Sequence, residues 1–266
     1  MSASTYSRYR RVVVRVRESA APAPAFRLAA ELAQLLELDL EGVFIEDEAL
    51  LALAGLPFAR EISLPGHTWQ ALDPARILED FREGAERTRR LLAEAAARLG
   101  MASGFSVLRG DPGAIAAQSL ATDILVITGT PADETAWRSG AAIMLVPLRP
   151  RAAAGAIAVT PGRASLATAA SLARRANQDL VLILPAKLSS ESLIADAAFP
   201  PEHIRQRRVR SFEAEEIAAA VRASGARLLV LDRASLPADA TGFLARLAAL
   251  AATPVLAVSD APETAG

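Results

Sequence analysis

Histidine and cysteine, two residue types often used for catalysis and metal binding, are scarce in this sequence of 266 residues. It contains two histidines, His67 and His203, and no cysteine. The lack of cysteine excludes disulfides, thiolate catalysis and cysteine-based zinc or iron–sulfur sites. The two histidines have unlike neighbours, so we interpret them as solvated loop residues rather than a catalytic or metal-binding pair. A metal site would have to be rich in carboxylates, and no metal and no catalytic residue is predicted.

Two runs of like charge are the next candidates for chemistry. The acidic run Glu46–Glu48 could coordinate a hard cation, but three acids ahead of an apolar run are more typical of a capped helix start, which we favour. His203–Arg210 is the densest basic stretch, and its alternating end indicates a strand with a solvated face. A phosphate or nucleic-acid patch is the alternative. Aromatic residues that would stack on bases are missing from it, so no nucleic-acid partner is predicted.

The composition describes a protein with a sizeable core and no global charge. Hydrophobic residues make up 52% of the chain and charged residues 22%, which is too apolar for disorder. The net charge of -1 gives no overall attraction to nucleic acid or acidic membranes. No stretch approaches the ~18 uncharged apolar residues that span a bilayer, and the first apolar run is too short and too charged for a signal peptide. We expect a cytoplasmic protein with no membrane partner.

Apolar runs and helical periodicity alternate through the first half of the chain. The predicted strands are Val12–Val16, Leu40–Ile45, Phe105–Leu108, Ile124–Ile127 and Ile143–Val146. The predicted helices are Phe26–Leu36, Asp73–Leu99 and Asp111–Leu120, with an irregular stretch before the second. Asp73 and Pro74 suit a helix start, and Gly100 suits its stop.

The second half repeats this order of elements. The predicted strands are Ile157–Val159, Leu180–Leu184, Val209–Phe212, Leu228–Leu231 and Val255–Val258. The predicted helices are Ser165–Ala176, Ser189–Ala198, Glu213–Ala223 and Thr241–Ala252. Ala29–Ala33 match Ala169–Ala173, and Asp39-Leu40 match Asp179-Leu180, both at an offset of 140 residues. This match and the shared element order favour an internal duplication.

The alternation of strands and helices also predicts the fold class. It implies βαβ units with right-handed crossovers and a parallel sheet covered on both faces. The continuous apolar strands Ile124–Ile127 and Leu228–Leu231 fit burial from both sides. Pro147–Gly155, rich in proline and small residues, is predicted to link the halves. We therefore predict a first domain at 1–148 and a second at 153–266.

Three stretches carry a family resemblance. Residues 253–258, Thr-Pro-Val-Leu-Ala-Val, are similar to the final strand of universal stress proteins, and residues 121–127 are similar to the fourth strand of that family. Gly110–Pro112, followed by Ile115, resembles the family's turn into its third helix. The resemblance covers nearly the whole chain as two tandem copies. It implies two Rossmann-like or flavodoxin-like α/β sandwiches with mainly parallel five-stranded sheets.

The resemblance also implies where ATP would bind, at the carboxyl ends of the strands, as in other open α/β sheets. In nucleotide-binding members an aspartate after the first strand recognises adenosine. The matching positions here are Arg17 and Thr160, so neither copy has the carboxylate. A motif G-x-x-G, then G-[ST] after about nine residues, follows the fourth strand in those members and wraps the phosphates with backbone amides.

Both glycine motifs are broken in this chain. In the first copy Gly129 is one place late, Pro131 stands for the second glycine, and Asp133 and Glu134 would repel phosphate. The segment is also too short for the usual helix before the fifth strand. In the second copy Asp232 stands where the first glycine belongs. We therefore expect no cofactor, with ATP as the alternative.

If a nucleotide or another small molecule still binds, substitute residues have to hold it. The candidate cofactor-binding residues are Thr128, Gly129, Thr130, Ser139 and Gly140 in the first copy and Thr160, Pro161 and Gly162 in the second. Our first hypothesis is a non-enzymatic protein that acts in stress-related regulation through protein or small-ligand contacts. An atypical ATP, AMP or small-molecule binder is the second, and a hydrolase or transferase on the same sheet is the third.

The segment Leu50–Ile62 has no counterpart in the second half. It could cover the empty pocket, contact the other half or bind a partner, and simple packing is the interpretation we favour. Trp69 and Trp137 could line a pocket or pack in the core or an interface. Family members often pair their final strands between domains, so the two copies could form an intramolecular pseudo-dimer. A protein partner or further self-association is expected.

Overall fold

The structure, a computed structural model, describes most of the chain. The described residues are 9–17, 23–63, 68–128, 137, 140–152, 155–189, 191–196 and 199–259.

The first half contributes seven described strands and four helices. The strands are β1 (Arg11–Val16), β2 (Asp39–Asp47), β3 (Arg60–Ser63), β4 (Thr68–Ala71), β5 (Gly104–Gly110), β6 (Asp123–Thr128) and β7 (Ala142–Val146). The helices are α1 (Ala23–Leu36), α2 (Glu48–Ala54), α3 (Pro74–Ala97) and α4 (Pro112–Ala117). The predicted start of α3 is confirmed, because the Asp73 carboxylate accepts a 2.9 Å hydrogen bond from the Ala75 amide. Gly100 takes a left-handed φ of 67° just after the helix, a conformation that favours glycine.

The second half contributes five strands and four helices. The strands are β8 (Ile157–Val159), β9 (Leu180–Pro185), β10 (Ile204–Val209), β11 (Leu228–Asp232) and β12 (Val255–Val258). The helices are α5 (Arg163–Ala176), α6 (Glu191–Asp196), α7 (Ala214–Ser224) and α8 (Ala240–Ala251). Short 3₁₀ turns occupy Pro201–His203 and Arg233–Ser235.

Ten of the described strands form one continuous sheet in the order β10-β9-β8-β11-β12-β7-β6-β1-β2-β5. The five strands that each half contributes to this sheet run parallel to one another, and counted along the chain their spatial order is third, second, first, fourth, fifth. The two fifth strands, β7 and β12, pair antiparallel, with Leu256 opposite Met144. The predicted α/β fold with mainly parallel five-stranded sheets is confirmed. The two sheets are joined edge to edge through the internal contact that the resemblance implied, while the domain limits at 148 and 153 stay a prediction.

Helices cover the two faces of this sheet unequally. On one face α1, α3 and α5 pack on both halves, over strand residues such as Val14 and Val159. On the other face α7 and α8 cover the second half, where Leu229 is fully buried. The first half has on that face a small cluster of five buried residues, including Val13 and Leu125, with Ile115 of α4 packed against it. No described helix is both long and apolar enough to cross a membrane.

Two features differ from the sequence predictions. The third strand of the second half is Ile204–Val209, so the predicted position Val209–Phe212 is wrong. This strand lies at the edge of the sheet, where polar and charged residues are common. Its four central residues are polar and exposed, so the sequence shows no apolar run at this position. The stretch read as irregular contains the hairpin of β3 and β4, whose four-residue strands lack a continuous apolar run.

Candidate ligand-binding crevices

Each half has a point at which the strand order reverses, and open α/β sheets bind ligands beside this point at the carboxyl ends of the strands. In the first half the point lies between β1 and β6, and in the second between β8 and β11. Because β7 and β12 are antiparallel, the strands of the two halves point in opposite directions. The two crevices therefore open at opposite edges of the sheet.

The strand register shows which residues of the two halves correspond. Val12 lies opposite Leu40 in the first half, and Ile157 lies opposite Leu180 in the second. Leu40 and Leu180 are separated by the 140 residues that relate the two halves in sequence. Val12 and Ile157 are therefore equivalent positions of the two first strands.

This register corrects one sequence correspondence. Counting from the equivalent pair, Thr160 matches Arg15, and Gly162 matches Arg17. Arg17 and Thr160 therefore do not occupy the same position, although each follows the first strand of its half. None of these four positions carries a carboxylate, so the adenosine-recognising aspartate implied by the resemblance is missing in either alignment.

The second-half crevice is built from the loop that joins β8 to α5. Thr160 is fully buried, and its amide donates a 3.1 Å hydrogen bond to the Val230 carbonyl. The Ser165 hydroxyl lies 2.9 Å from the Thr160 carbonyl and 3.0 Å from the Gly162 carbonyl. These bonds hold Thr160, Pro161 and Gly162 at the amino end of α5, where a helix dipole favours negative charge.

A carboxylate of the protein itself occupies the space beside this loop. Asp232, the last residue of β11, is 6% exposed. One of its oxygens accepts a 2.9 Å hydrogen bond from the Ala234 amide. A Cβ added at Gly162 would lie 2.5 Å from the Asp232 Cβ and closer still to its second oxygen. The Asp232 side chain therefore fills the space beside Gly162.

One polar atom in the second crevice has no partner. The Thr160 hydroxyl oxygen is buried and makes no hydrogen bond with any described residue. A buried hydroxyl without a partner is unfavourable, and a bound water or a polar ligand atom would relieve this cost. Among the predicted site residues, Thr160 therefore has a buried hydroxyl that a ligand could hydrogen-bond.

The described residues do not assemble the site predicted for the first half. Thr128 ends β6 at the carboxyl edge and lies opposite Val146. Gly140 precedes β7, at the amino edge, and an added Cβ there would lie 3.7 Å from Ala121. Ile124 pairs with Ala142, so four residues of strand, each rising about 3.3 Å, lie between Thr128 and the start of β7. Gly129, Thr130 and Ser139 lie outside the described residues.

Arginines occupy the first-half crevice. A guanidinium nitrogen of Arg17 lies 3.8 Å from an Asp47 carboxylate oxygen. Arg15 donates a 3.0 Å hydrogen bond to the Pro112 carbonyl. Asp47 also accepts a 2.9 Å hydrogen bond from the Ala49 amide at the start of α2, so the predicted helix cap is present. Among the described residues no group of three or more His, Cys, Asp or Glu side chains could hold a metal ion.

An ion-pair network that the sequence did not reveal lies at the amino end of the first-half strands. The Arg11 side chain contacts Asp123 at 2.8 and 3.0 Å and Glu41 at 2.6 Å. Asp123 is 1% exposed. The hydrogen bond to Asp123 raises the pKa of the Arg11 guanidinium above its ordinary value, against a smaller opposing effect of burial. This network lies at the edge of the sheet opposite Thr128 and is therefore structural.

Two arginines of the second half reach across to the first. Arg233 donates to the Trp137 carbonyl and, at 2.5 Å, to the Ala141 carbonyl. Its guanidinium carbon lies 4.0 Å from the centre of the Trp137 ring. Arg227 forms an ion pair with Glu31 of α1. Of the roles considered for Trp137, the structure shows a contact between the halves.

The remaining sequence candidates lie away from both crevices. The imidazole Nδ1 of His203 is 3.1 Å from an Asp179 oxygen, but Asp179 precedes β9 and lies at the amino edge of its half. The basic stretch is the edge strand β10, in which Arg208 donates to the Pro185 and Leu188 carbonyls. His67 lies outside the described residues.

Strand order, antiparallel fusion of two five-stranded halves and crevices at the strand ends define a tandem α/β protein with the fold of universal stress proteins. Similar solved structures include a universal stress protein from Archaeoglobus fulgidus, with a TM-score of 0.59 and 11% identity over 95% of this chain and 98% of that one. A candidate universal stress protein from Pseudomonas aeruginosa matches with a TM-score of 0.56 and 12% identity over 94% and 93%.

A third similar structure is the cytoplasmic domain of a prokaryotic cation chloride cotransporter, with a TM-score of 0.52 and 12% identity over 94% of this chain and 95% of that one. No family model and no curated protein sequence matches the chain. The similarity at these low identities is a similarity of fold.

Proposed function

We propose that this chain is a non-enzymatic protein of the universal-stress type that acts in stress-related regulation through protein or small-ligand contacts and has lost canonical ATP binding. The observation that carries the proposal is the Asp232 side chain packed against Gly162. Its carboxylate takes the position of an incoming phosphate at the start of α5. A phosphate bound at this position and the carboxylate of Asp232 would repel each other, and burial of the carboxylate strengthens this repulsion.

The other crevice supports the same proposal. The first half has Arg17 rather than an aspartate after its first strand. Thr128 and Gly140, the described members of its predicted phosphate loop, lie at opposite ends of the strands. Nucleotide binding by the family's usual contacts is therefore disfavoured in both halves, for a different reason in each.

Titration calorimetry of the full chain with ATP, ADP and AMP tests this proposal. We expect no binding by the wild-type protein at micromolar concentrations. We expect Asp232→Gly, which removes the carboxylate and opens the space beside Gly162, to bind ATP more tightly than wild type does. Micromolar binding of ATP by the wild type contradicts the proposal. An unchanged affinity in Asp232→Gly contradicts the role given to Asp232.

Two matched variants locate any binding that is seen. Thr160→Val replaces the unpartnered hydroxyl in the second crevice with a methyl group of similar shape, and Thr128→Val makes the same change at the end of β6. Loss of binding in Thr160→Val alone assigns the ligand to the second half. This result would favour the second candidate function, an atypical small-molecule binder, which the buried hydroxyl of Thr160 supports.

The contact between the halves offers less room for a ligand. A cavity of about 30 Å³ lies between α1 and β8, lined by apolar side chains such as Leu32 and Leu172 and by the Arg227–Glu31 pair. This volume is enough for a water molecule, whereas ligand pockets measure about 300 Å³ or more. The cavity between the halves is therefore too small for a ligand.

We also propose that the chain arose by duplication, with domains at 1–148 and 153–266. The support is the identical strand order of the two halves and the agreement of their register with the 140-residue offset.

A further inference from the structure

The outer edge of the large sheet in the second half is basic. Strand β10 and the residue after it carry four arginines and no acidic residue: Arg205, Arg207, Arg208 and Arg210. All four are exposed, although the whole chain has a net charge of -1. The acids nearest to them in sequence, Glu202 and Glu213, stand outside this run. Positive charge is therefore concentrated on one edge strand of a nearly neutral protein.

Two of the four arginines have no partner in the part of the chain that the structure describes. A guanidinium nitrogen of Arg205 lies 3.1 Å from a carboxylate oxygen of Asp179, and Arg208 donates to carbonyls at and after the end of β9. Neither Arg207 nor Arg210 forms a hydrogen bond or an ion pair with a described residue. An unpaired guanidinium can bind a carboxylate through two parallel hydrogen bonds.

Protection of a free edge does not account for this number of charges. Edge strands often carry a charged residue, which discourages pairing with other chains. Strand β5, the edge at the opposite end of the sheet, has one arginine, and Arg109 pairs with Glu46 of β2 at 2.7 Å. Strand β10 has three arginines within its six residues. The excess of charge on β10 indicates that this edge binds a negatively charged partner.

The backbone of β10 is also available along its outer side. In a parallel pair of strands, alternate residues bond to the neighbouring strand and the residues between them point away from it. The Val209 carbonyl accepts a 3.0 Å hydrogen bond from the Ala186 amide, just after β9. Counting back from Val209, Gln206 and Arg208 therefore present their backbone groups to the outside. An extended peptide can pair with such groups as an added strand.

Side chains of β10 border a surface cavity of about 290 Å³ between β9, β10 and the end of α7. Its lining residues are Val181, Arg205, Gln206, Arg207 and Ser224. Since successive residues of a strand point to opposite faces, Arg205 and Arg207 project on the same side of β10. A single acidic side chain of a peptide fits in this space, because even small-molecule ligands need only about 300 Å³.

The neighbouring helix end does not oppose an anion at this place. The carboxyl end of a helix carries a partial negative charge that repels anions. At the end of α7, Arg151 donates a 3.1 Å hydrogen bond to the Arg222 carbonyl and a 3.4 Å hydrogen bond to the Ala226 carbonyl. The guanidinium of Arg151 therefore compensates the negative end of α7 beside the cavity.

We propose that β10 binds an acidic peptide segment of another protein, which adds to the outer edge of the sheet as an extended strand. Backbone hydrogen bonds to Gln206 and Arg208 hold the peptide, and one of its carboxylates enters the cavity beside Arg205 and Arg207. Arg210 pairs with a further carboxylate past the end of β10. Single-stranded nucleic acid is disfavoured as the partner, because β10 has no aromatic side chain on which bases could stack.

This inference rests on the protein-contact part of the proposed function. It does not depend on whether either crevice binds a nucleotide, because β10 lies at the far edge of the sheet from the second crevice. Failure of a peptide to bind would leave the calorimetric test with ATP unaffected, so the two proposals can fail separately.

Fluorescence anisotropy of a labelled peptide, titrated with the full chain, measures the interaction. The probe is a short peptide in which glutamate alternates with valine, and the control peptide has glutamine in place of glutamate. We expect saturable binding of the glutamate peptide at protein concentrations up to about 1 mM, the range of weak interactions, and no binding of the glutamine peptide.

A charge variant tests the role of the unpaired arginine. Arg207→Gln should raise the Kd of the glutamate peptide about tenfold, because a hydrogen bond between charged groups is lost. Arg87→Gln, at an exposed arginine of α3, makes the same change in net charge and should leave the Kd unchanged. Equal Kd values for Arg207→Gln and wild type would contradict the proposal.

A backbone variant tests strand addition separately from charge. Gln206→Pro removes an amide that points outward, so the pairing of β10 with β9 should stay intact, and circular dichroism should show the wild-type fold. The peptide should no longer bind. Gln206→Ala, which keeps the amide, should bind the peptide like wild type.

Three results would overturn the inference. These are a wild-type chain that does not bind the glutamate peptide, equal binding of the glutamine peptide, and a folded Gln206→Pro chain that binds the glutamate peptide like wild type. A labelled oligothymidylate serves as the competing probe. If it binds more tightly than the peptide and Gln206→Pro leaves its Kd unchanged, the arginines belong to a nucleic-acid surface instead.

Discussion

The two halves of the sheet have the same register but carry different polar residues at the ends of their strands. Thr128 and Asp232 occupy equivalent positions at the ends of the fourth strands, because Val126 and Val230 pair with equivalent residues. At the other edge, Asp123 of the first half corresponds to Arg227 of the second. Equivalent strands are apolar in both halves, whereas the equivalent positions at their ends carry different polar residues.

This comparison shows where each half depends on its own polar residues. The second half closes its crevice with a carboxylate held against a glycine. In the first half, Arg11 pairs with Asp123 and Glu41 at the amino ends of the strands. Variants at these positions should therefore affect the halves unequally.

The largest effect is expected at Gly162. Gly162→Ala would place a Cβ 2.5 Å from that of Asp232 in a buried crevice, and overpacking of this kind costs about 3 kcal/mol. Urea unfolding measures the loss. Asp232→Gly in the same chain should restore most of it, because it removes both clashing groups. Gly104→Ala is the matched control, since its nearest neighbouring atom would be 3.8 Å away. An equal loss in both alanine variants would contradict the close contact.

The second effect is expected at the amino edge of the first half. Arg11→Met leaves the buried carboxylate of Asp123 without its cation, and we expect a loss of about 2 kcal/mol in the free energy of unfolding, as for hydrogen bonds to charged groups. Arg82→Met, in an exposed pair with Glu79, should change stability little. A similar loss in both variants would show that the cation of Arg11 is not the cause.

The pH dependence of this pair has a definite sign. Asp123 raises the pKa of Arg11 above its ordinary value in the folded protein. A raised pKa contributes stability that is fully present below the unfolded pKa and is lost as the pH rises through the folded one. The difference in stability between wild type and Arg11→Met should therefore stay constant from pH 7 to pH 9. A difference that vanishes within this range would contradict the assignment.

A smaller effect is expected where the second half contacts the first. Arg233→Met removes the stacking on Trp137 and two hydrogen bonds to carbonyls, and it should cost about 1 kcal/mol. The emission of Trp137 should also shift, because its ring loses the guanidinium. Arg210→Met, at an exposed arginine, is the control and should change neither signal.

The smallest effect is expected for Arg227 and Glu31. Both side chains are partly exposed, and pairs of this kind contribute about 0.5 kcal/mol. A double-mutant cycle of Arg227→Met and Glu31→Gln gives the coupling energy directly. A coupling of several kcal/mol would mean that this pair, rather than the strand pairing of β7 and β12, holds the halves together.

The sequence predicted those strands and helices that have a clear hydrophobic pattern or a clear helix-start signal. Continuous apolar runs such as Leu228–Leu231 predicted buried strands, and Asp73 with Pro74 predicted a helix start that the structure has. They failed for β10, where an edge strand carries arginines on exposed faces, and for the hairpin of β3 and β4, where the strands are short.

The contents of the crevices were harder to predict. The replacement of a glycine by Asp232 was visible in the sequence, but its packing against Gly162 depends on how β11 lies beside β8. The ion pair of Arg11 with Asp123 joins residues 112 apart, and the contact of Arg233 with Trp137 joins residues 96 apart. Such contacts leave no local pattern in the chain.

The antiparallel pair in the middle of the sheet also constrains how the protein can be made. Strand β7 is apolar throughout and buried along its whole length, so it is a poor free edge. Its neighbour β12 is the last strand of the described chain, more than a hundred residues further on. During synthesis β7 leaves the ribosome long before β12 exists to cover it. The first half must therefore keep an apolar edge exposed until the residues of β12 have been synthesised.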